Sequence, residues 1–400
     1  MKTKISLAIA TIGCFALSPV HALETPGVEF TGSGFLTLGL GKMLGGTKGK
    51  VSDYDCPCFI SDYAQAGVYE NKSGLQWKPD TKLGVQGTAF FNNRQFALTT
   101  QLVARGARDG NINLEWLYGS YKVNDTVTVQ VGRKRLPMFY YSDTQDIGVA
   151  LPWAHLPPQL YGWEAVNYNG ANVTIQQPIG DWTATLNVLA GNETFKDSGY
   201  WKIYNGRKNQ TDVRWKNIVG GDLTFQKDWF EARFVYLQSK TETQVVKKGY
   251  WIDAATGYDG ALDADWTPSP AFKQKIYGIA LRADYDNWLV HSELIHINRP
   301  GQSWKDYASI VGVGYRYGKW LPMITHSRYW GTTARDRYGY KSSSSELEGH
   351  ATVALTLRYD LTTSSAIKIQ YDRQNDQSGS AWVPNYGDSR LLTATFDTVF

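Results

Sequence analysis

Few residues in this 400-residue chain stand where side-chain chemistry would need them. His291 and Glu293 lie two apart, and on a strand positions i and i+2 share a face, so they form the one spacing that resembles an acid–base pair. Ser292 lies between them and points the other way, so a serine–histidine hydrolytic pair, as in a phospholipase, is not formed. In a polar interior both read as solvated wall residues. Cys56 and Cys58 flank Pro57. Two thiols one residue apart close only a small, strained ring, yet an oxidising compartment favours bonding, so a disulfide that tightens a loop stays open as a reading. Two thiolates are too few for a zinc site. Gly32, Gly34, Gly39, Gly41, Gly45 and Gly46 are not followed by a helix, so a phosphate loop is excluded. No catalytic residue, metal or cofactor is expected.

The remaining chemistry is that of fixed charge. Lys82, Arg105, Arg358 and Lys368 stand out, as do the run Arg133-Lys134-Arg135 and the acids Asp143 and Asp146 just after it. Charges placed in rings or facing rows select solutes by their field. What must position them is a repeating element of about 10 residues with apolar side chains at every second place. Leu83, Val85, Ala89 and Phe91 alternate with Lys82, Gln86 and Thr88, and Phe96, Leu98 and Leu102 alternate with Gln101 and Arg105. Tyr277, Ile279 and Leu281 run against Arg282 and Asp284; Val353, Leu355 and Leu357 against Arg358; Ile367, Ile369 and Tyr371 against Lys368 and Asp372. This is the pattern of strands with lipid on one side and water on the other.

Gaps between the strands alternate short and long. The short ones include 123–126, 177–180, 226–228 and 362–364, and the long ones 192–212, 241–271, 331–346 and 374–389. Counting hairpins predicts an all-β, transmembrane antiparallel β-barrel of about 16 strands, with the phase of 165–176 and 320–330 ambiguous. Trp116, Tyr118, Trp182, Trp229, Trp288, Tyr315, Tyr317 and Trp320 fall near strand ends, where amphipathic rings suit headgroups. A barrel of this size encloses water. The phase then turns Lys82, Arg105, Arg358 and Lys368 inward, and closure brings the first and last strands together on one wall. Val127, Val129 and Val131 face out, so strict alternation would put Arg133 and Arg135 in lipid, at about 2–4 kcal/mol each in mid-bilayer. A break at Gly132 that turns one of them into the lumen avoids that cost. The alternative keeps both at the outer interface on lipid phosphates.

Bulk properties agree. Lys2 and Lys4 precede an apolar run to Val20 and a Val20-His21-Ala22 end, which reads as a secretory signal over residues 1–22, leaving 23–400 as the barrel. Lys and Arg number 41 against 37 Asp and Glu, two of the lysines lying in that leader, so nothing favours nucleic acid. Aromatics make up 14% of the chain and 39 residues are Gly, which suits strands and turns.

The last ten residues, Leu391-Leu392-Thr393-Ala394-Thr395-Phe396-Asp397-Thr398-Val399-Phe400, place Leu392, Ala394, Phe396 and Phe400 on one face. This looks like the terminal signal read by the outer-membrane barrel-assembly machinery. Leu357-Arg358-Tyr359-Asp360 with Ile367-Lys368-Ile369-Gln370-Tyr371 is similar to a late hairpin of many porins. The stretch Val131–Pro137, Tyr141-Ser142-Asp143, Asp146-Ile147-Gly148, Pro152-Trp153 and Pro157-Pro158 is similar to one shared by many uncharacterised proteobacterial porins. The chain as a whole resembles the sixteen-stranded trimeric porins of Gram-negative bacteria. That resemblance implies an outer-membrane channel for small polar solutes, a homotrimer, and lipid and lipopolysaccharide as surroundings. It also implies that about 136–163, after strand five, folds inward as a constriction loop. Asp143 and Asp146 on that loop would face the basic wall, with mild anion preference, and Trp153 and His155 would form a shelf or pack the loop to the wall. The alternatives are a phospholipase-like enzyme or a plugged structural or adhesive barrel.

Overall fold

The computed structural model describes residues 27–247, 250–252, 259–261, 269–382 and 387–400. The expected leader, 1–22, lies outside the described residues. Sixteen antiparallel strands form one closed barrel. The first four are β1 (Val28–Gly46), β2 (Lys82–Phe91), β3 (Phe96–Arg105) and β4 (Ile112–Lys122). Next come β5 (Val127–Arg135), β6 (Asn167–Ile179), β7 (Trp182–Phe195) and β8 (Gln210–Lys227). β9 (Phe230–Lys247), β10 (Phe272–Tyr285), β11 (Trp288–Asn298) and β12 (Trp304–Tyr315) follow. The ring ends with β13 (Trp320–Thr333), β14 (Gly349–Thr362), β15 (Ser365–Asp376) and β16 (Ser389–Val399). Each strand pairs with the next, and β16 pairs with β1. Closure leaves no row of unpaired backbone groups, the condition for crossing a bilayer with strands. Among the described residues no helix is long and apolar enough to cross a membrane.

Alternation dictates the two faces. Leu83, Val85, Leu98, Ile324, Leu355 and Ile369 are exposed on the outside, while Gln101, Thr325, Thr356, Lys368 and Gln370 are buried inside. The two strands of uncertain phase resolve the same way. Asn172 of β6 and Met323, Thr325 and Ser327 of β13 face inward. The expected gap at 177–180 is shorter than it reads, because β6 continues through Gln177 and Pro178 to Ile179.

Aromatic pairs line the short-turn end: Trp229–Tyr285 at 5.3 Å, Trp288–Tyr315 at 4.9 Å and Trp320–Tyr359 at 4.4 Å between ring centroids. A second row, Tyr236–Tyr277–His296–Tyr307–Trp330, crosses five neighbouring strands in register. Trp116 and Tyr118 do not belong to such a belt. Their partners across β3 and β4 are Gln101 and Thr99, both buried, and the Lys134 ammonium sits 5.0 Å above the Tyr118 ring.

The C-terminus closes the seam. Phe400 and Gly34 exchange backbone hydrogen bonds of 2.6 and 2.9 Å. The Phe400 ring lies over Gly34 where any Cβ would collide, which is a reason for glycine there.

Candidate functional site

Between β5 and β6 the chain leaves the wall and crosses the lumen, and residues 136–166 are fixed to both sides of it. The first clamp is ionic. Arg105 on β3 donates to both carboxylate oxygens of Asp146, at 3.2 and 2.7 Å, and to Glu115 of β4 at 2.5 Å. Arg135, the last residue of β5, pairs with the same Asp146, with Glu115 at 3.0 Å and with Asn167 at 3.0 Å. Lys82 on β2 donates to the Gln145 carbonyl at 3.1 Å and stands 3.9 Å from Asp146. Burial works to raise the Asp146 pKa, but Arg105 and Arg135 outweigh it and hold this loop carboxyl well below the usual range.

The second clamp lies on the late strands. Lys368 on β15, with no exposed surface, donates to the carbonyls of Gly148 and Trp153 at 2.6 and 2.8 Å and pairs with Asp397 of β16 at 3.0 Å. Arg358 on β14 donates to the carbonyls of Val149 and Leu151 at 2.7 and 2.8 Å. A Cβ on Gly148 would collide with the Asp397 carboxylate, so this crossing point needs glycine. Trp153 is fully buried and donates from its indole to Thr325 of β13 at 2.8 Å. Tyr140 and Tyr161 donate to Glu293 of β11 at 2.9 and 2.8 Å, from the backbone and the phenol respectively.

A third clamp joins this loop to the long loop 47–81. His155 lies 3.1 Å from Asp80 and 3.4 Å from Asp372, and the Tyr69 hydroxyl donates to Asp80 at 2.7 Å. Burial lowers the His155 pKa, but the two carboxylates more than reverse this and raise it to about 10. Within 47–81, Cys56 and Cys58 are joined as a disulfide, and Val51, Tyr54, Ile60, Tyr63 and Val68 form a small core around them. The short helix Gly199–Asn205 packs on that core through Ile203, Tyr200 and Tyr204.

These clamps revise the picture of a bare basic wall across open water from acidic residues. Arg105, Arg135, Arg358 and Lys368 are all engaged, partly with the loop and partly with wall carboxylates and Asn167. Asp143, by contrast, is exposed, and no ion pair to it is formed among the described residues. The alternation does not break at Gly132: β5 keeps continuous register with β6 through it. Lys134 and Gln130 share the inner face and both contact Asn172. Arg133 therefore registers with the exposed Leu117 and Asn169, and pairs with Glu193 at 2.6 Å. The change of side comes at Arg135, where the strand ends. His291 and Glu293 are not solvated either. His291 is fully buried against Tyr140, Tyr141 and Trp153, with neither ring nitrogen hydrogen-bonded and Glu293 3.5 Å away.

The inner faces of β10–β16 are mostly covered by these inserted segments. On β2–β9 the lumen keeps partly exposed polar side chains, among them Gln86, Gln130, Lys134 and Arg233. A hydrogen-bonded row runs along that wall from Lys134 to Asn172 (3.1 Å), Asn187 (2.9 Å) and Asp222 (3.0 Å). Asp222 meets Arg233 at 3.5 Å. Two cavities open beside the clamps on the early-strand side. One of about 550 Å³ lies among the loops 47–81, 106–111 and 196–209, and one of about 50 Å³ lies beneath it, next to Lys82, Arg105 and Asp146. Sequence reading missed Glu115, Asp80 and Asp397 and took Glu293, a loop anchor, for a solvated wall residue, although the inward phase that marks Lys368 marks Asp397 on the neighbouring strand as well.

No protein-family model matches the chain, and no curated protein matches its sequence. Solved structures do. OmpT, an outer-membrane protein of Vibrio cholerae, superposes with a TM-score of 0.56 at 9% identity over 95% of this chain and 100% of its own. The outer-membrane channel DcaP of Acinetobacter baumannii gives 0.56 at 10% over 94% and 99%. An anion-selective porin from Comamonas acidovorans gives 0.52 at 12% over 93% and 100%. The likeness is one of fold. What it shows is that the closed barrel of this chain has the fold of these outer-membrane proteins.

Proposed function

We propose that this protein is an outer-membrane porin, a narrow water-filled channel for passive diffusion of small polar solutes. The observation that carries this reading is a closed sixteen-strand barrel with an apolar outside, whose inward loop is clamped to both walls and leaves a polar strip on β2–β9. A loop bound this firmly sets a bore, and the strip offers replacement hydrogen bonds to a solute shedding water. Export and insertion would follow from the leader over 1–22 and the Phe400 end. A homotrimer in lipopolysaccharide-bearing membrane accords with the resemblance of the sequence. The reading expects no catalysis, with His291 buried beneath Tyr140, Tyr141 and Trp153 of the inserted loop. A mild anion preference now rests on Lys134, because Lys82, Arg105, Arg135, Arg358 and Lys368 are engaged with the loop and Arg133 with Glu193.

One observation favours a second reading. The covered inner faces of β10–β16 suit a plugged structural or adhesive barrel. Planar-bilayer recording of the refolded protein separates the two: discrete current steps support a channel, and their absence from a β-rich, folded protein supports a plug.

A further inference from the structure

Charges lining the two cavities are paired, with two exceptions. Glu70 pairs with Lys72 and Arg207, Asp109 with Lys78, Asp197 with Lys202, Asp146 with Arg105 and Lys82, and Asp80 with His155. Arg108 lines the outer cavity and Asp62 the inner one. Among the described residues, no carboxylate comes within ion-pair distance of Arg108 and no cation within that distance of Asp62. The Arg108 guanidinium reaches only neutral oxygens, the Gln65 side-chain carbonyl at 3.3 Å and the Asp197 backbone carbonyl at 3.2 Å. Asp62 accepts only the backbone N–H of the same Gln65, at 3.1 Å. One buried glutamine thus holds an unpaired cation on one side and an unpaired anion on the other. Pro79 and Ala107 line both cavities, so the pair flanks the neck between them.

Unpaired charge in a partly buried site is costly unless something binds it. Burial raises the Asp62 pKa, which agrees with a carboxylate that lacks its counter-ion. A solute of one sign would satisfy one of these groups and be repelled by the other. A solute carrying both signs satisfies both, with its ammonium on Asp62 and its carboxylate accepting from the Arg108 fork. The outer cavity, about 550 Å³, has room for the body of such a solute, whereas the inner cavity, about 50 Å³, suffices only for a few waters.

We infer that Asp62 and Arg108 form a binding site for small zwitterionic solutes of amino-acid type, at the loop-side mouth of the barrel. The inference deepens the channel reading by naming a solute class, and it is tested without relying on conduction. Equilibrium dialysis of radiolabelled serine against the refolded full chain in detergent gives saturable binding. Serinamide, which lacks the carboxylate, and N-acetylserine, which lacks the ammonium, each compete at least about tenfold more weakly. Asp62→Asn and Arg108→Gln each weaken serine binding by a similar factor. The two analogues act on the unaltered protein, so a variant that misfolds does not decide the matter. No saturable serine binding, or equal competition by serine and both analogues, overturns the inference. Glycerol-driven swelling of proteoliposomes tests the channel reading separately, because glycerol carries neither charge.

Discussion

Asp146 is held by Arg105 through both carboxylate oxygens, at 3.2 and 2.7 Å, from opposite sides of what the sequence presents as open water. The two residues do not face each other across a pore: they close one end of a clamp. On the channel reading the bore therefore depends on buried ion pairs, and the first expectations concern their loss.

Arg105→Met leaves Asp146 and Glu115 short of a cation inside the barrel. Removing one partner of a buried pair costs about 3–5 kcal/mol. The variant is expected to lose heat resistance in detergent, measured by gel mobility against temperature, and to show larger and noisier single-channel currents as residues 136–166 loosen. Unchanged current and stability would contradict the clamp.

On the other wall, Lys368→Met strands Asp397 and frees the carbonyls of Gly148 and Trp153. A penalty of similar size, about 3–5 kcal/mol, is expected. The double variant Lys368→Met with Asp397→Leu removes both charges and should recover most of that loss, since a matched apolar pair avoids an unpaired buried charge. Thermal midpoints of the single and double variants read this directly.

Gly148→Ala tests the crossing point by shape alone. The added methyl meets the Asp397 carboxylate, so the loop has to shift off Lys368. Overpacking of this kind costs about 1–3 kcal/mol. Higher conductance with intact β-structure by circular dichroism is the expected outcome.

The pH dependence of the clamps follows from their signs. His155 is raised from 6.5 to about 10, so its contribution is complete below about 6.5, declines as pH rises and is gone above about 10. Asp146 is lowered from 3.8, so its contribution is complete above about 3.8 and is lost as pH falls further. Between these limits the docked loop is expected to hold. Single-channel noise should rise in alkali, and His155→Gln, which lacks the titrating group, should show the raised noise already at neutral pH with little further rise in alkali.

Much of the barrel is legible in the sequence because a period of two is a strong constraint: one misplaced residue turns a whole strand to the wrong side. That is why Lys82, Arg105, Arg358 and Lys368 are found inward, and why Arg133 was the difficult position. Its cost in lipid is real by alternation, and Glu193, two strands away on β7, compensates it, a partner that no local pattern marks. The inward fold of 136–163 came from the resemblance alone, and how it packs in the lumen was not legible from pattern. Residues such as Leu136, Phe139, Trp153 and Leu160 are buried without periodicity, in a segment that reads as a loop, and the wall residues that hold it, Thr325 under Trp153 and Glu293 under Tyr140 and Tyr161, lie far along the chain. Burial of His291 follows from that filling. Glu115 sits beside a register shift between β3 and β4, which turns it toward Arg105, and pattern reading does not reach such shifts.

On the channel reading, selectivity is expected to depend on the charges left free. Lys134→Glu reverses one on the polar strip while leaving the clamps in place, so the reversal potential under a salt gradient should move toward cations. Arg133→Gln, outside the lumen, should leave that potential unchanged.

Planar-bilayer recording of the refolded full chain under an asymmetric salt gradient tests the channel reading most directly. Discrete steps of small conductance, grouped in threes and with a mild anion preference, are the expected result. A folded, β-rich protein that inserts and passes no current would contradict it and identify the inserted loops as a permanent plug.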